Sequence, residues 1–189
     1  MKRLFSLILA AVLVLSVACA AAAEGVTFTT QYFTLQLPDN WETDYEDLQK
    51  EDNEEDLGYF YDSTANIGLV GAAFLVYYEE LKDISLFNEN EETIQDYIDT
   101  ITEELEEYKP QYIETVTAVP DAGMKAIPIV LFKVADDEGD FIYADTITNG
   151  YSIQFEFYVT DAEGEKMYPI TDEYIELIKT ILATLKPAA

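Results

Sequence analysis

The stretch FIYADTITNGYSIQFEFYV, residues 141–159, decides the fold of this 189-residue chain. Two runs rich in β-branched and aromatic side chains flank Asn149-Gly150, a pair that readily takes the positive φ angles of a two-residue hairpin turn. Residues 141–148 and 151–159 are therefore read as antiparallel neighbours. In the second run Tyr151, Ile153, Phe155, Phe157 and Val159 share one face, and Ser152, Gln154 and Glu156 share the other. Strict alternation of this kind puts the first set in a core and leaves the second wet or lightly covered. In the first run Asp145 falls on the face of Phe141, Tyr143 and Ile147, so it is the carboxylate best placed to be buried. The alternative for Asp145 is a carboxylate at a strand end, hydrogen-bonded to a tyrosine or to the backbone.

Outward from this hairpin, residues 112–119 and 124–134 read as two more strands, with turns at Pro120–Gly123 and Asp136–Asp140. Before them, Ile94, Tyr97, Ile98, Ile101, Leu105 and Tyr108 recur every three or four residues. This predicts a helix capped by Asn88 or Asn90 and stopped by Pro110. Glu89, Glu91 and Glu92 suit the positive end of its dipole, whereas Glu103, Glu104, Glu106 and Glu107 crowd the negative end, a mismatch that a bound cation would relieve. Residues 57–78 hold two strands around a turn at Ser63–Asn66. The second is apolar on both faces, which places it centrally in a sheet covered on both sides. Asp44–Asp56 is rich in carboxylates without apolar periodicity and reads as a solvated loop or a frayed helical turn. At the other end of the chain, Thr171 or Asp172 opens a helix with Tyr174, Ile175, Ile178, Ile181, Leu182 and Leu185 on one stripe, ended by Pro187.

Val26–Thr30 and FTLQLPDNW, residues 33–41, read as an N-terminal hairpin followed by a turn and the sole tryptophan, Trp41. Phe33, Leu35 and Leu37 face inward, and the Pro38 turn brings Trp41 back over the sheet edge. There it is expected as a structural anchor burying about 150–250 Å², with its indole N–H on a backbone acceptor. FTLQLPDNW, YSIQFEFYV (151–159) and ITDEYIELIKTILATLKP (170–187), in this order of elements, make the chain resemble the Mog1/PsbP-like superfamily. Members open with an aromatic strand, a Leu-Pro turn and Trp, as at Phe33, Leu37-Pro38 and Trp41. They close with a Phe-rich strand and a helix bearing a late Ile-Leu stripe. The resemblance implies an α+β fold, an antiparallel sheet flanked by helices on both sides in an α/β/α sandwich. It also implies a binding or scaffolding role without catalysis. Known relatives include an adaptor for a small GTPase and an extrinsic photosystem subunit, and neither partner transfers to this chain.

Residues 1–23 carry Lys2 and Arg3, an apolar run from Leu4 to Leu15 and then small residues, the layout of a signal peptide. The run is too short for a spanning helix, and no second one follows, so no transmembrane domain is expected once the signal is removed. Cleavage near Ala23 would release a secreted protein. Ser16-Val17-Ala18-Cys19 loosely resembles a lipobox and would instead tether the chain to the bacterial cell envelope through lipidated Cys19. Either route gives an extracytoplasmic protein, with residues 24–189 forming a single domain. Without Lys2 and Arg3, 8 basic residues face 38 acidic ones, a formal charge of −30. Such a field repels nucleic acid and favours a basic or cationic protein partner. Hydrophobic residues at 49%, with 14 Tyr and 10 Phe, are too many for a disordered acidic chain.

The chain has no histidine, which removes Ser-His-Asp triads, Cys-His nucleophiles and H-E-x-x-H zinc sites. Cleavage at Ala23 would also remove its one cysteine, and no glycine pattern matches a phosphate-binding loop. No catalytic residue or cofactor is assigned, and the chain reads as a non-enzymatic binding or scaffold module. Two alternatives remain. One is a calcium-dependent structural protein using Asp52, Glu54 and Asp56 or Asp136, Glu138 and Asp140, although neither acidic stretch has EF-hand spacing, so affinity would be weak. The other is a hydrolase working by carboxylates alone, which needs two acids facing one pocket. Tyr45, Tyr59, Tyr61, Tyr77, Tyr78 and Tyr158 could present ring faces beside acids to cationic or carbohydrate ligands.

Overall fold

Nearly every strand follows from a local hairpin, and the sheet is two runs of such hairpins joined along one long seam. The computed structural model describes residues 25–79, 82–83, 86, 91–119, 125–135, 139–148 and 150–188. The leader with Cys19, the helix caps Asn88 and Asn90, and the acids Asp136 and Glu138 lie outside the described residues. In chain order the strands are β1 (Val26–Thr29), β2 (Phe33–Leu37), β3 (Trp41–Asp44), β4 (Glu54–Asp62) and β5 (Ile67–Tyr77), before helix α1 (Glu91–Glu104). A 3-10 turn at Glu106–Tyr108 leads to β6 (Gln111–Ala118), β7 (Ile127–Ala135), β8 (Asp140–Thr148) and β9 (Tyr151–Asp161). Helix α2 (Asp172–Leu182) and the short β10 (Lys186–Pro187) follow.

Seven strands form one antiparallel sheet in the order β3-β4-β5-β9-β8-β7-β6, and β1-β2-β10 form a second, smaller one. The Asn-Gly hairpin pairs β8 with β9 as expected, Thr148 opposite Tyr151, with Gly150 at φ +77°. Strand β5, apolar on both faces, is an interior strand paired with β9 along its whole length, from Ile67 opposite Asp161 to Tyr77 opposite Tyr151. Its second face is only half covered at Val70 and Phe74, because α1 lies over β7 and β8 instead.

The two helices sit on opposite faces of the large sheet. On one side Tyr97, Ile98 and Ile101 of α1 pack on Val130, Phe132 and Val134 of β7 and on Phe141, Tyr143 and Ile147 of β8. On the other, Ile178, Ile181 and Leu182 of α2 join β1, β2 and the inward faces of β5, β8 and β9. The expected α/β/α sandwich is what the chain forms. An aromatic cluster fills the second layer: Phe60 lies 5.0 Å from Phe28, 5.8 Å from Phe157 and 5.9 Å from Trp41 between ring centroids. Gly71 sits beneath it because a Cβ there would come within 2.2 Å of the Phe60 ring.

Three boundaries and the burial of two polar residues differ from the expected ones. Trp41 opens an edge strand, β3, rather than ending a turn, and Glu54–Asp56 belong to β4 rather than to a loop. In both cases pairing with a neighbouring strand overrides weak local propensity: Trp41 opposite Asp62, and Glu54 opposite Val76. Helix α2 stops at Leu182, five residues before Pro187, and the chain turns through Thr184 to pair Lys186 and Pro187 with β2. Ser152 and Gln154, expected to be wet or lightly covered, are buried beneath the α1 layer. Among the described residues no helix is long and apolar enough to cross a membrane.

Candidate functional site

Two places concentrate chemistry. The first is an open recess built by the turn before β2, the turn into β4, and the ends of β5 and β9. Its volume is about 280 Å³, and its walls include Tyr32, Tyr77 and Tyr151 together with Glu51, Asp52 and Glu54. The β5–β9 register puts Tyr77 directly opposite Tyr151, their ring centroids 5.0 Å apart. Tyr32 is held from the other side, its hydroxyl donating to Glu55 Oε2 at 3.3 Å. Burial and the adjoining Glu55 carboxylate push the Tyr32 hydroxyl above the ordinary tyrosine range, so it stays a neutral donor.

Lys50, the one basic residue of the recess, is consumed by an ion pair with Glu55. Glu51, Asp52 and Glu54 have no ion-pair partner among the described residues. The recess thus offers three aromatic faces and three uncompensated carboxylates. That combination attracts a positive charge both through the ring quadrupoles and by Coulomb attraction.

Beside the recess lies a second cavity of about 380 Å³, sharing Tyr32, Leu75 and Tyr151 with it. The further lining is apolar, from Phe33, Ile153 and Leu185, with Thr148 and Pro187 at its sides. It sits where the small sheet meets the large one. Strand β10 helps close it: Ala188 N–H donates to Tyr32 C=O at 2.8 Å, and the Gln36 N–H donates to Thr184 Oγ1 at 2.9 Å.

The second concentration is buried. Asp145 is fully enclosed in the middle of β8, neither at a strand end nor in a cleft, and it lines none of the cavities just described. Tyr143 donates to its Oδ2 and Ser152 to its Oδ1, each at 2.7 Å. Burial pushes the Asp145 carboxyl up to about 7, against the pull of these two hydrogen bonds, and Glu104 of α1 adds to the rise. Gln154 donates to Tyr78 at 2.9 Å beside it, and burial lifts the Tyr78 hydroxyl to about 12. The Tyr97 hydroxyl, brought in by α1, is pushed well above the ordinary tyrosine range by burial and the nearby Asp145 carboxylate, yet completes no hydrogen bond.

Of the acidic residues proposed from the sequence for calcium, the four among the described residues stand in different settings. Asp52 and Glu54 line the recess, Asp56 accepts from the Gln49 N–H at 3.1 Å, and Asp140 pairs with Lys133 at 2.6 Å. Among the described residues no group of three metal-ligating side chains is found, at the acidic end of α1 or elsewhere. Of the six tyrosines singled out, Tyr77 alone lines the recess. Tyr45 stacks on Phe28 and Tyr158 on Phe141, Tyr61 reaches Glu42, and Tyr78 belongs to the buried cluster. Tyr59 lies half-buried on β4. Sequence reasoning missed Tyr32 and Tyr151, which come together only through β5–β9 pairing and the seating of β2. Trp41 is 3% exposed against Phe60, and no backbone acceptor for its indole N–H is found among the described residues.

No family model matches the chain, and no curated protein does. Among solved structures it is similar to cyanobacterial PsbP (CyanoP) from Synechocystis sp. PCC 6803, with 12% identity and a TM-score of 0.44 over 83% of this chain and 87% of that one. The chain is also similar to a protein from Bacteroides thetaiotaomicron VPI-5482, with 11% identity and a TM-score of 0.38 over 87% of this chain and 49% of that one, about half that protein's length.

Proposed function

We propose that this chain is a non-enzymatic extracytoplasmic binding module, secreted or tethered through Cys19, that holds a basic or cationic partner in the tyrosine and carboxylate recess. The observation that carries the reading is the pairing of Tyr32, Tyr77 and Tyr151 with Glu51, Asp52 and Glu54, while Lys50 is already taken by Glu55. Around it a formal charge of −28 on the full chain draws cations toward the surface from a distance and speeds their encounter. A hydrolase working by carboxylates needs two acids facing one pocket. Asp145 is the sole buried carboxylate among the described residues, and it faces none of the cavities described above.

The test is titration of the protein with a dye-labelled oligolysine peptide at rising ionic strength. Affinity should fall as salt rises, and should drop about tenfold or more in the triple variant Glu51→Gln, Asp52→Asn, Glu54→Gln. Equal affinity of the triple variant and the parent at low salt would overturn the assignment to this recess.

A further inference from the structure

The recess adjoins the apolar chamber. It shares Tyr32, Leu75 and Tyr151 with the apolar chamber, so an acidic lining and a hydrocarbon lining meet side by side at these three side chains. A partner carrying charge alone would fill the first 280 Å³ and leave the 380 Å³ beside it to water. Water there would stand against Phe33, Leu75, Ile153 and Leu185, side chains that offer it no hydrogen bond. Nor is the chamber a sealed core void: Tyr151 is 49% exposed at its mouth, and Pro187 is exposed at its side. A solvent-accessible apolar cavity of this size, with polar groups confined to one end, has the make-up of a small-molecule site.

Resting on the reading of the recess as a cation site, we infer that its ligand is a single-chain cationic amphiphile. The ammonium head sits among Tyr32, Tyr77, Tyr151 and the carboxylates of Glu51, Asp52 and Glu54. The aliphatic chain runs inward over Leu75 to Phe33, Ile153 and Leu185. The charge pattern fixes this polarity. The inner lining holds no charged side chain, and the outer rim carries more carboxylates than its one lysine can neutralise. An anionic amphiphile of the same length meets repulsion at the rim, and a short quaternary ammonium ion leaves the chamber empty.

Isothermal titration below the micellar concentration tests this with dodecyl-, decyl- and octyl-trimethylammonium, tetramethylammonium and dodecyl sulfate. Affinity is expected to fall roughly two- to fourfold for each methylene removed, down to a weak tetramethylammonium, with no binding of dodecyl sulfate. Thr148→Trp, which fills the chamber from its half-buried side, should abolish the preference for dodecyl- over octyl-trimethylammonium. Because the chain-length series uses the unaltered protein, a folding defect in the variant does not spoil the test. Oligolysine binding with no chain-length dependence overturns the amphiphile and leaves the cation site standing. Chain-length dependence shared equally by the sulfate overturns the assigned polarity. Insensitivity of every ligand to the triple rim variant overturns both readings.

Discussion

Asp145→Asn isolates the energetic consequence of burying an acid under α1. The Asp145 carboxyl is displaced from 3.8 to about 7 by burial. At 1.36 kcal/mol for each tenfold change, this is about 4 kcal/mol between the protonated and ionised folded forms. Below pH 4 the acid is protonated whether the chain is folded or not, and it imposes no penalty. Between pH 4 and pH 7 the unfolded chain has lost the proton and the folded chain keeps it, so stability falls as pH rises. Above pH 7 both are ionised and the full penalty stands, with about 2–3 kcal/mol of it accumulating from pH 5 to pH 8. Asparagine has the same shape and no charge. Its carbonyl can accept from Tyr143 or Ser152, and its amide can donate to the unpartnered Tyr97 hydroxyl. Urea denaturation followed by fluorescence of buried Trp41 reads both proteins at pH 5, 6, 7 and 8. The difference between the two curves removes the repulsion among surface carboxylates that both share. The variant should gain on the parent by about 2–3 kcal/mol across this range. Parallel curves, or a variant less stable than the parent at pH 8, would refute the buried-acid argument.

Other substitutions address separate parts of the fold. Tyr97→Phe removes a buried hydroxyl that completes no hydrogen bond, so chemical denaturation should show stability unchanged or higher by up to about 1 kcal/mol. Gly71→Ala drives a methyl into the Phe60 ring, and a loss of about 1–3 kcal/mol is expected in the same assay. Trp41→Ala empties the place beside Phe60 at the β3 edge and should cost about 3–5 kcal/mol by thermal or urea unfolding. Glu55→Gln breaks an exposed ion pair with Lys50, so stability should move by less than about 1 kcal/mol, while oligolysine affinity shifts with the freed lysine.

Strands whose partners are close in sequence are legible from the residues alone. The turn at Asn149-Gly150 announces β8 and β9, and the alternation of Phe33, Leu35 and Leu37 announces β2. Strand β3 and the start of β4 are not legible, because Glu42, Asp44 and Glu54–Asp56 carry no apolar alternation and are extended only by their partners across the sheet. The burial of Asp145 is half legible. Its strand face identifies it, but the Tyr97 cover and the Ser152 donor arrive from α1 and β9, and no local pattern points to them. The recess is least legible of all. Its acids are visible as a run at residues 51–56, which suggests a metal. The tyrosines opposite them stand at positions 32, 77 and 151 and meet only after the whole sheet has formed.

The seam between β5 and β9 also sets the hazards of assembly. On either side of it the strands are joined by short connections, so β3-β4-β5 and β6-β7-β8-β9 can each form as local hairpins within microseconds. Their union closes a loop from residue 78 to residue 150, a step with a larger entropic cost that is expected to limit the folding rate. Until that union is made, the nascent chain displays two long, greasy edges at once, and each is a template for the matching edge of another molecule. In the finished domain those edges are hidden, and the outermost strands are β3 and β6, the first only four residues long and both bearing carboxylates. By mutual repulsion the abundant negative charge of the chain is expected to slow the pairing of half-built copies while the seam closes.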